Sequence, residues 1–427
     1  MAPVIATILT NFANIALRSR VRDDDVIDQL NHWATVGLLF ALAMGAGAKQ
    51  YVGDPIHCWV PAQYTKKHFQ QYSDSYCWVF PMYNIPFDEP IPFAPDDRRY
   101  NDIGYYRWVF IVFLLQAFLF KFPHMVWQQL KNYSGVNVSK IVGMALDTSM
   151  LTQEKRDEKM GHIAHFIDRW LVTYSQYRYN ALTNFRDKFS RVMFCFGKRS
   201  GTYLNGLYMF VKLLYLANVI GQFFLLSAFL DINFWMFGIK AMETMAKKGN
   251  WQDHYTFPRV GMCDYKIRQL QNLQTFSVQC VLSINLFLEK MYLIFWFWLV
   301  MLLVFNSVNL LHWLLRALVP HTGENFLSKY LTLLNINTKN ETKIFKRFVS
   351  NYLRTDGVFM MRIVAGNIGD MLTLDLVSQL WKMYKQHHGL KDSEDVNQNL
   401  GPNGKPASPT APEVEDNDDD LPPKKFD

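Results

Sequence analysis

The sequence predicts an all-α membrane protein: a four-transmembrane-helix bundle with disulfide-braced extracellular loops and a helical cytoplasmic dome. Three observations predict it. Apolar residues make up 50% of the 427-residue chain and collect in four blocks, each near the roughly 20 residues a bilayer crossing needs. Four of the five cysteines fall in two polar stretches that four crossings would place on one side. The remaining polar sequence repeats its apolar residues at helical spacing.

Residues 1–24 carry Val4, Ile5, Ile8, Leu9, Phe12 and Ile15 on one helical face, the pattern of an amphipathic helix lying on a membrane surface. The start Met1-Ala2-Pro3-Val4 lacks a basic n-region and Asn11 and Asn14 interrupt the apolar content, so no cleaved signal peptide is expected. Asp25 is placed to cap the first span, residues 25–48. That span ends on Gly45, Ala46, Gly47 and Ala48. Such small residues let helices approach closely, and they also suit a wall facing water.

Residues 49–103 hold Cys58 and Cys77 among seven prolines, a density that favours ordered loop over long helix. The second span, 104–130, opens on the aromatic run Tyr105, Tyr106 and Trp108, as expected at a membrane–water boundary. Lys121 falls about 25 Å along that helix at 1.5 Å per residue, deep enough for its amine to snorkel to the far interface. Pro123 should kink the helix or its end. Residues 131–202 read as a helical subdomain. Its His162 and His165 share a face without a further ligand, and its Cys195 reads as a buried inert thiol.

The third span covers 203–230, with Lys212 near its start free to snorkel. Residues 231–280 form the second cysteine-bearing loop and 281–313 the fourth span. Glu289 and Lys290 are neighbours in sequence and should not face one another on a helix. One of them is expected to point into a polar interior, where an ionisable group signals function. Helical patterns fill 314–388, and 389–427, rich in Asn, Pro, Gly and Asp, reads as a disordered tail.

Redox logic orients the chain, because disulfides persist outside the cell and not in the cytosol. Both cysteine-pair loops are therefore expected outside and both termini inside. The sequons at Asn132, Asn137 and Asn340 then all fall inside. Pairing the cysteines by height above the membrane gives Cys58 with Cys280 and Cys77 with Cys263; bridges within each loop are the alternative. The net charge of +7 is scattered without a basic aromatic stripe, so no nucleic-acid partner is expected and the basic surface is assigned to anionic lipid. No nucleophile elbow, P-loop or His-Glu-x-x-His occurs, and no C-x-x-C spacing that would hold zinc. Neither an enzyme nor a cofactor or metal site is expected.

The run Tyr105-Tyr106-Arg107-Trp108-Val109, with two cysteines in each outer loop and the region of Cys263 and Cys280, resembles the innexins, the invertebrate gap-junction channel family. The likeness extends to about residue 385. Arg107 stands where that family's signature carries Gln, adding a charge near the outer interface. The resemblance implies a homo-oligomeric ring, a hemichannel, around a wide, weakly selective pore in the plasma membrane. It implies docking to an opposing hemichannel on a neighbouring cell, so that ions and small molecules pass between cells. It places Met1, Ala2, Pro3 and Val4 at the constriction and Gly45, Ala46, Gly47 and Ala48 in the wall below. Asp23, Asp24 and Asp25 then become candidates for wall charge, against an ordinary role as helix-start carboxylates. An unpaired hemichannel that releases small molecules, and a four-span adhesion or scaffold protein without a pore, are the competing readings.

Overall fold

The computed structural model describes residues 24–60, 67–85, 90–93, 98, 102–148, 150–175, 201–249, 251, 255–319, 321–333 and 342–388. Met1, Ala2, Pro3, Val4, Asp23, Cys195 and the 389–427 tail lie outside the described residues. Four described helices are long and apolar enough to cross a membrane: α1 (Val26–Tyr51), α3 (Val109–Lys131), α6 (Tyr203–Leu230) and α8 (Ser283–Leu318). On α3, Ile111, Leu115, Phe118, Phe122 and Met125 recur every three to four residues and are exposed, an outward apolar stripe suited to lipid. The opposite stripe, with Phe113, Ala117 and Phe120, is buried against the other spans.

The span α1 is the least apolar of the four, with a mean hydropathy of 1.2 against 1.9 to 2.1 for the others. Its buried face explains this, because Asp28, Asn31, His32 and Thr35 all point inward. Residues Leu30–Ala34 form a π turn. The Thr35 hydroxyl donates to the Leu30 carbonyl at 2.8 Å, which the Thr35 N–H also reaches across the widened turn.

At one end of the bundle both loops merge into a cap. Its five described strands are β1 (Ile56–Trp59), β2 (Met82–Tyr83), β3 (Asp102–Ile103), β4 (Val260–Gln269) and β5 (Asn272–Leu282), ordered β1-β5-β4-β2-β3. The second-loop hairpin β4–β5 is thus flanked on both sides by first-loop strands. On β4 the buried positions alternate, Gly261, Cys263 and Tyr265, the period-2 pattern of a strand buried on one face. A helix α2 (Lys67–Val79) lies on the cap and α7 (Phe234–Lys248) follows the third span. The prolines of the first loop bracket α2 between Pro61 and Pro81 and leave 13 residues free to form a helix.

The opposite end is helical throughout its described residues: α4 (Val138–Leu146), α5 (Gln153–Ser175), α9 (His321–Leu333), α10 (Thr342–Arg347), α11 (Arg354–Ile368) and α12 (Asp370–His387). Met160, Ile163, Ile167 and Leu171 of α5 bury against Leu376, Leu380 and Tyr384 of α12, within a core that reaches Trp127 and Tyr208 of the spans. Asp356, at the first turn of α11, accepts the Asn205 N–H at 3.1 Å and so caps the third span from a domain distant in sequence.

Candidate functional site

The head of α1 is held by a buried network of charges. Lys212 of α6 places its ammonium 3.0 Å from Asp25 Oδ2 and 2.7 Å from Asp28 Oδ2, and is 2% exposed. Tyr208 donates to Asp28 at 2.9 Å, and the Trp313 indole of α8 donates to Asp25. Lys212 therefore does not snorkel: the two carboxylates three residues apart on α1 bring it inward. One residue further along that face, Asn31 exchanges two amide bonds with Asn306, at 2.9 and 3.0 Å. The Trp298 indole donates to the Thr35 hydroxyl at 2.9 Å. Each polar group on this face has a partner from another span, so α1 is fixed in rotation and in height.

Beside this network lies a second cluster. His32 Nε2 is 2.7 Å from Asp24 Oδ2 and His124 Nδ1 is 3.5 Å from the same oxygen. Gln29 donates to the other Asp24 oxygen at 3.2 Å. Burial pushes the Asp24 carboxyl up, but the two imidazoles beside it outweigh this and hold it well below the usual carboxylate range. Lys121 approaches His32 Nδ1 to 3.4 Å. Pro123 lies inside a helix that runs unbroken to Lys131, next to His124.

Of the small residues at the end of α1, three turn toward the protomer's own helices. Ala46 is 1% exposed. A Cβ on Gly47 would stand 3.1 Å from the Phe110 ring, and one on Gly45 would stand 2.9 Å from Met291. In this protomer these three serve close packing, and only Ala48 lies on the open face. That face carries Trp33, Gly37, Ala41 and Ala48, all exposed, at the spacing of one helical stripe. Asp24 is engaged and buried in the clusters above, while Asp25 is engaged there with its side chain still 36% exposed.

In the cap, Cys58 is bonded to Cys280 and Cys77 to Cys263. The first pair joins directly opposed residues of β1 and β5; the second staples α2 onto β4. Asp264 gathers Arg98 at 2.7 Å, the Tyr83 hydroxyl at 3.0 Å and Ser277 at 2.6 Å. Burial and this carboxylate push the Tyr83 phenol up to about 12. Phe69, Tyr72, Tyr76 and Phe276 pack around Tyr265. The signature run closes the cap on the bundle. Tyr106 is fully buried, with its carbonyl bonded by Gln50 and its ring 4.9 Å from Trp78. Tyr105 donates to the Thr256 carbonyl at 2.9 Å. Arg107 donates to the Val79 carbonyl, the last residue of α2, where a cation suits the helix end. Trp108 is exposed at the rim and Val109 buried.

Glu289 is wholly buried and receives Lys290 at 2.9 Å and Arg259 at 3.3 Å. Contrary to the sequence expectation the two neighbours do meet. Lys290 is half exposed and its flexible stem folds back, while Arg259 reaches in from the cap.

Sequence comparisons cover most of the chain. The sequence profile described as Innexin matches residues 24–384. Innexin unc-9 of Caenorhabditis elegans is 37% identical over 362 residues, covering 85% of this chain and 92% of that protein. Innexin-3 of the same organism is 33% identical over 374 residues, with 86% and 87% covered. Innexin-19 of Caenorhabditis briggsae is 30% identical over 404 residues, with 87% and 90% covered.

Proposed function

The chain belongs to the innexin family, a channel-forming multi-pass membrane subunit and not an enzyme, and from that premise we propose that it builds an intercellular conduit. Identical subunits form a ring in the plasma membrane, with both termini cytoplasmic and the cap outside. The ring docks through its caps to a ring on the adjacent cell and passes ions and small molecules with weak selectivity. The observation that carries this reading is the cap itself. Two bridges and one sheet tie both loops into a single body, and a docking face that must repeat around a ring gains from such preorganisation. The β4–β5 hairpin projects from it with Leu270 97% exposed.

The wall of the conduit is assigned to the open stripe of α1, Trp33, Gly37, Ala41 and Ala48, below a constriction formed by Met1, Ala2, Pro3 and Val4. Beyond Trp33 the lining is of small side chains, Gly37, Ala41 and Ala48, which leaves a wide bore that strips no hydration shells, so charge at the mouth, including Asp23, sets what little selectivity there is.

Paired cells expressing the chain should show junctional current, and deleting residues 2–15 should alter its conductance. Current from single cells with none between pairs would overturn docking and leave an unpaired hemichannel. Liposomes impermeable to tracers at every voltage would overturn the pore itself.

A further inference from the structure

We propose that Asp24, His32 and His124 form a transition-metal site of the zinc class, which clamps the entry of the first span to the second. The three ligand atoms, Asp24 Oδ2, His32 Nε2 and His124 Nδ1, all lie within 4.8 Å of one another. Two imidazoles and a carboxylate are a donor set that suits zinc, nickel or cobalt and suits calcium or magnesium poorly. His124 Nδ1 is buried with no hydrogen-bond partner among the described residues, although it lies 3.5 Å from the carboxylate. A buried ring nitrogen with its lone pair uncommitted beside two other donors is free to bind an ion.

The dimensions fit after a small adjustment. Ligands on one tetrahedral zinc lie about 3.3 Å apart, given bonds of about 2.0–2.1 Å. The 3.5 Å separation of Asp24 and His124 already meets this. The 2.7 Å separation of Asp24 and His32 must open by about half an ångström. The rings stack with centroids 3.9 Å apart and planes 19° from parallel, so one must turn about χ2 for both lone pairs to converge. Gln29 holds the second carboxylate oxygen at 3.2 Å, the supporting bond that a ligating carboxylate ordinarily has.

The proton bookkeeping identifies Lys121 as the opponent of the metal. A lysine ammonium only donates, so at 3.4 Å it makes His32 Nδ1 the acceptor and leaves the ring hydrogen on Nε2, facing Asp24. A metal on Nε2 requires that hydrogen on Nδ1 instead. The ring stays neutral and no proton is lost, but Lys121 must withdraw. Ion and lysine thus compete for His32, and the winner decides whether Asp24 and the head of α1 are fastened to α3 beside Pro123.

The full-length chain, purified in detergent and stripped of metal, is titrated with cobalt(II) and then with zinc(II). One ion per chain should bind above the background of the other histidines, with cobalt giving a tetrahedral ligand-field spectrum that zinc abolishes. His124→Ala and Asp24→Asn should weaken this binding at least tenfold, and Lys121→Met should strengthen it. His124→Cys keeps a donor in place and should add a thiolate-to-cobalt charge-transfer band absent from the parent, which reports the site even if the truncations unfold. Equal binding by the parent and His124→Ala, or no new band in His124→Cys, overturns the proposal. The readouts involve no current, so their failure leaves the channel reading untouched.

Discussion

The ammonium of Lys212 lies 2.7 Å from the Asp28 carboxylate with both side chains 2% exposed, joining the third span to the first. Breaking such a pair by removing one partner strands a buried charge and costs about 3–5 kcal/mol. Lys212→Met should therefore lower the melting temperature of the solubilised oligomer sharply. Adding Asp28→Leu to it should recover much of the loss, since apolar replacement of a whole buried pair is often neutral. A double variant no better than the single one would show that Asp25 or Tyr208 carries the linkage instead.

Gly238 on α7 has the Trp296 ring where a side chain would begin, 2.1 Å from the position of a Cβ. The Trp296 indole is fixed by its bond to the Phe234 carbonyl at 2.9 Å and has no room to retreat. Gly238→Ala should cost about 1–3 kcal/mol by overpacking, despite the better helix propensity of alanine. Thermal unfolding checks it, and an unchanged melting point would mean that α7 can lift from α8.

Asp356 is buried against the start of α6, and burial pushes its carboxyl up to about 6 from 3.8 despite the backbone N–H groups it accepts. The folded protein then holds this proton more tightly than the unfolded chain. Its contribution to stability is fully present below 3.8 and is lost as the pH rises through about 6. Acidifying from about pH 7 to about pH 5 should stabilise the parent relative to Asp356→Asn by on the order of 1 kcal/mol, read as a higher melting temperature. A pH-independent difference between the two would show that Asp356 titrates normally.

Arg107→Gln removes the cation from the end of α2 and leaves the Val79 carbonyl to water. The bond is at the surface, so global stability should fall by less than about 1 kcal/mol. The change should appear locally, as faster amide exchange in the last turn of α2. Equal exchange in both proteins would show that the Cys77–Cys263 bridge alone holds that helix.

The four spans are legible in the sequence because each is a long apolar run, a signal that needs no partner. The cysteine pairing was legible from depth alone, and Cys58 and Cys280 do face one another across β1 and β5. The sheet was not read, although Gly261, Cys263 and Tyr265 alternate. A strand declares itself through its neighbour, and Cys58 and Cys280 are 222 residues apart. Asp28 and Lys212 were missed for the same reason, being separated by 184 positions. Lys212 in isolation looks like a snorkelling lysine. The clue was present in Asp25, Asp28 and Asn31, polar residues at helical spacing leading into a span. The three packed small residues, Gly45, Ala46 and Gly47, show the converse limit, since composition cannot say which side of a helix a glycine serves.

The strand order β1-β5-β4-β2-β3 also sets a schedule for biosynthesis. The pieces contributed before residue 104 cannot find their places until the ribosome has delivered residues 260–282, so neither native bridge can close until the third span has been threaded. For most of its synthesis the nascent chain carries reduced Cys58 and Cys77 near one another, free to join in the wrong pair. A thiol-disulfide isomerase should therefore govern the yield of mature protein, and nonsense alleles ending before the hairpin should leave a sticky, unzipped remnant marked for degradation.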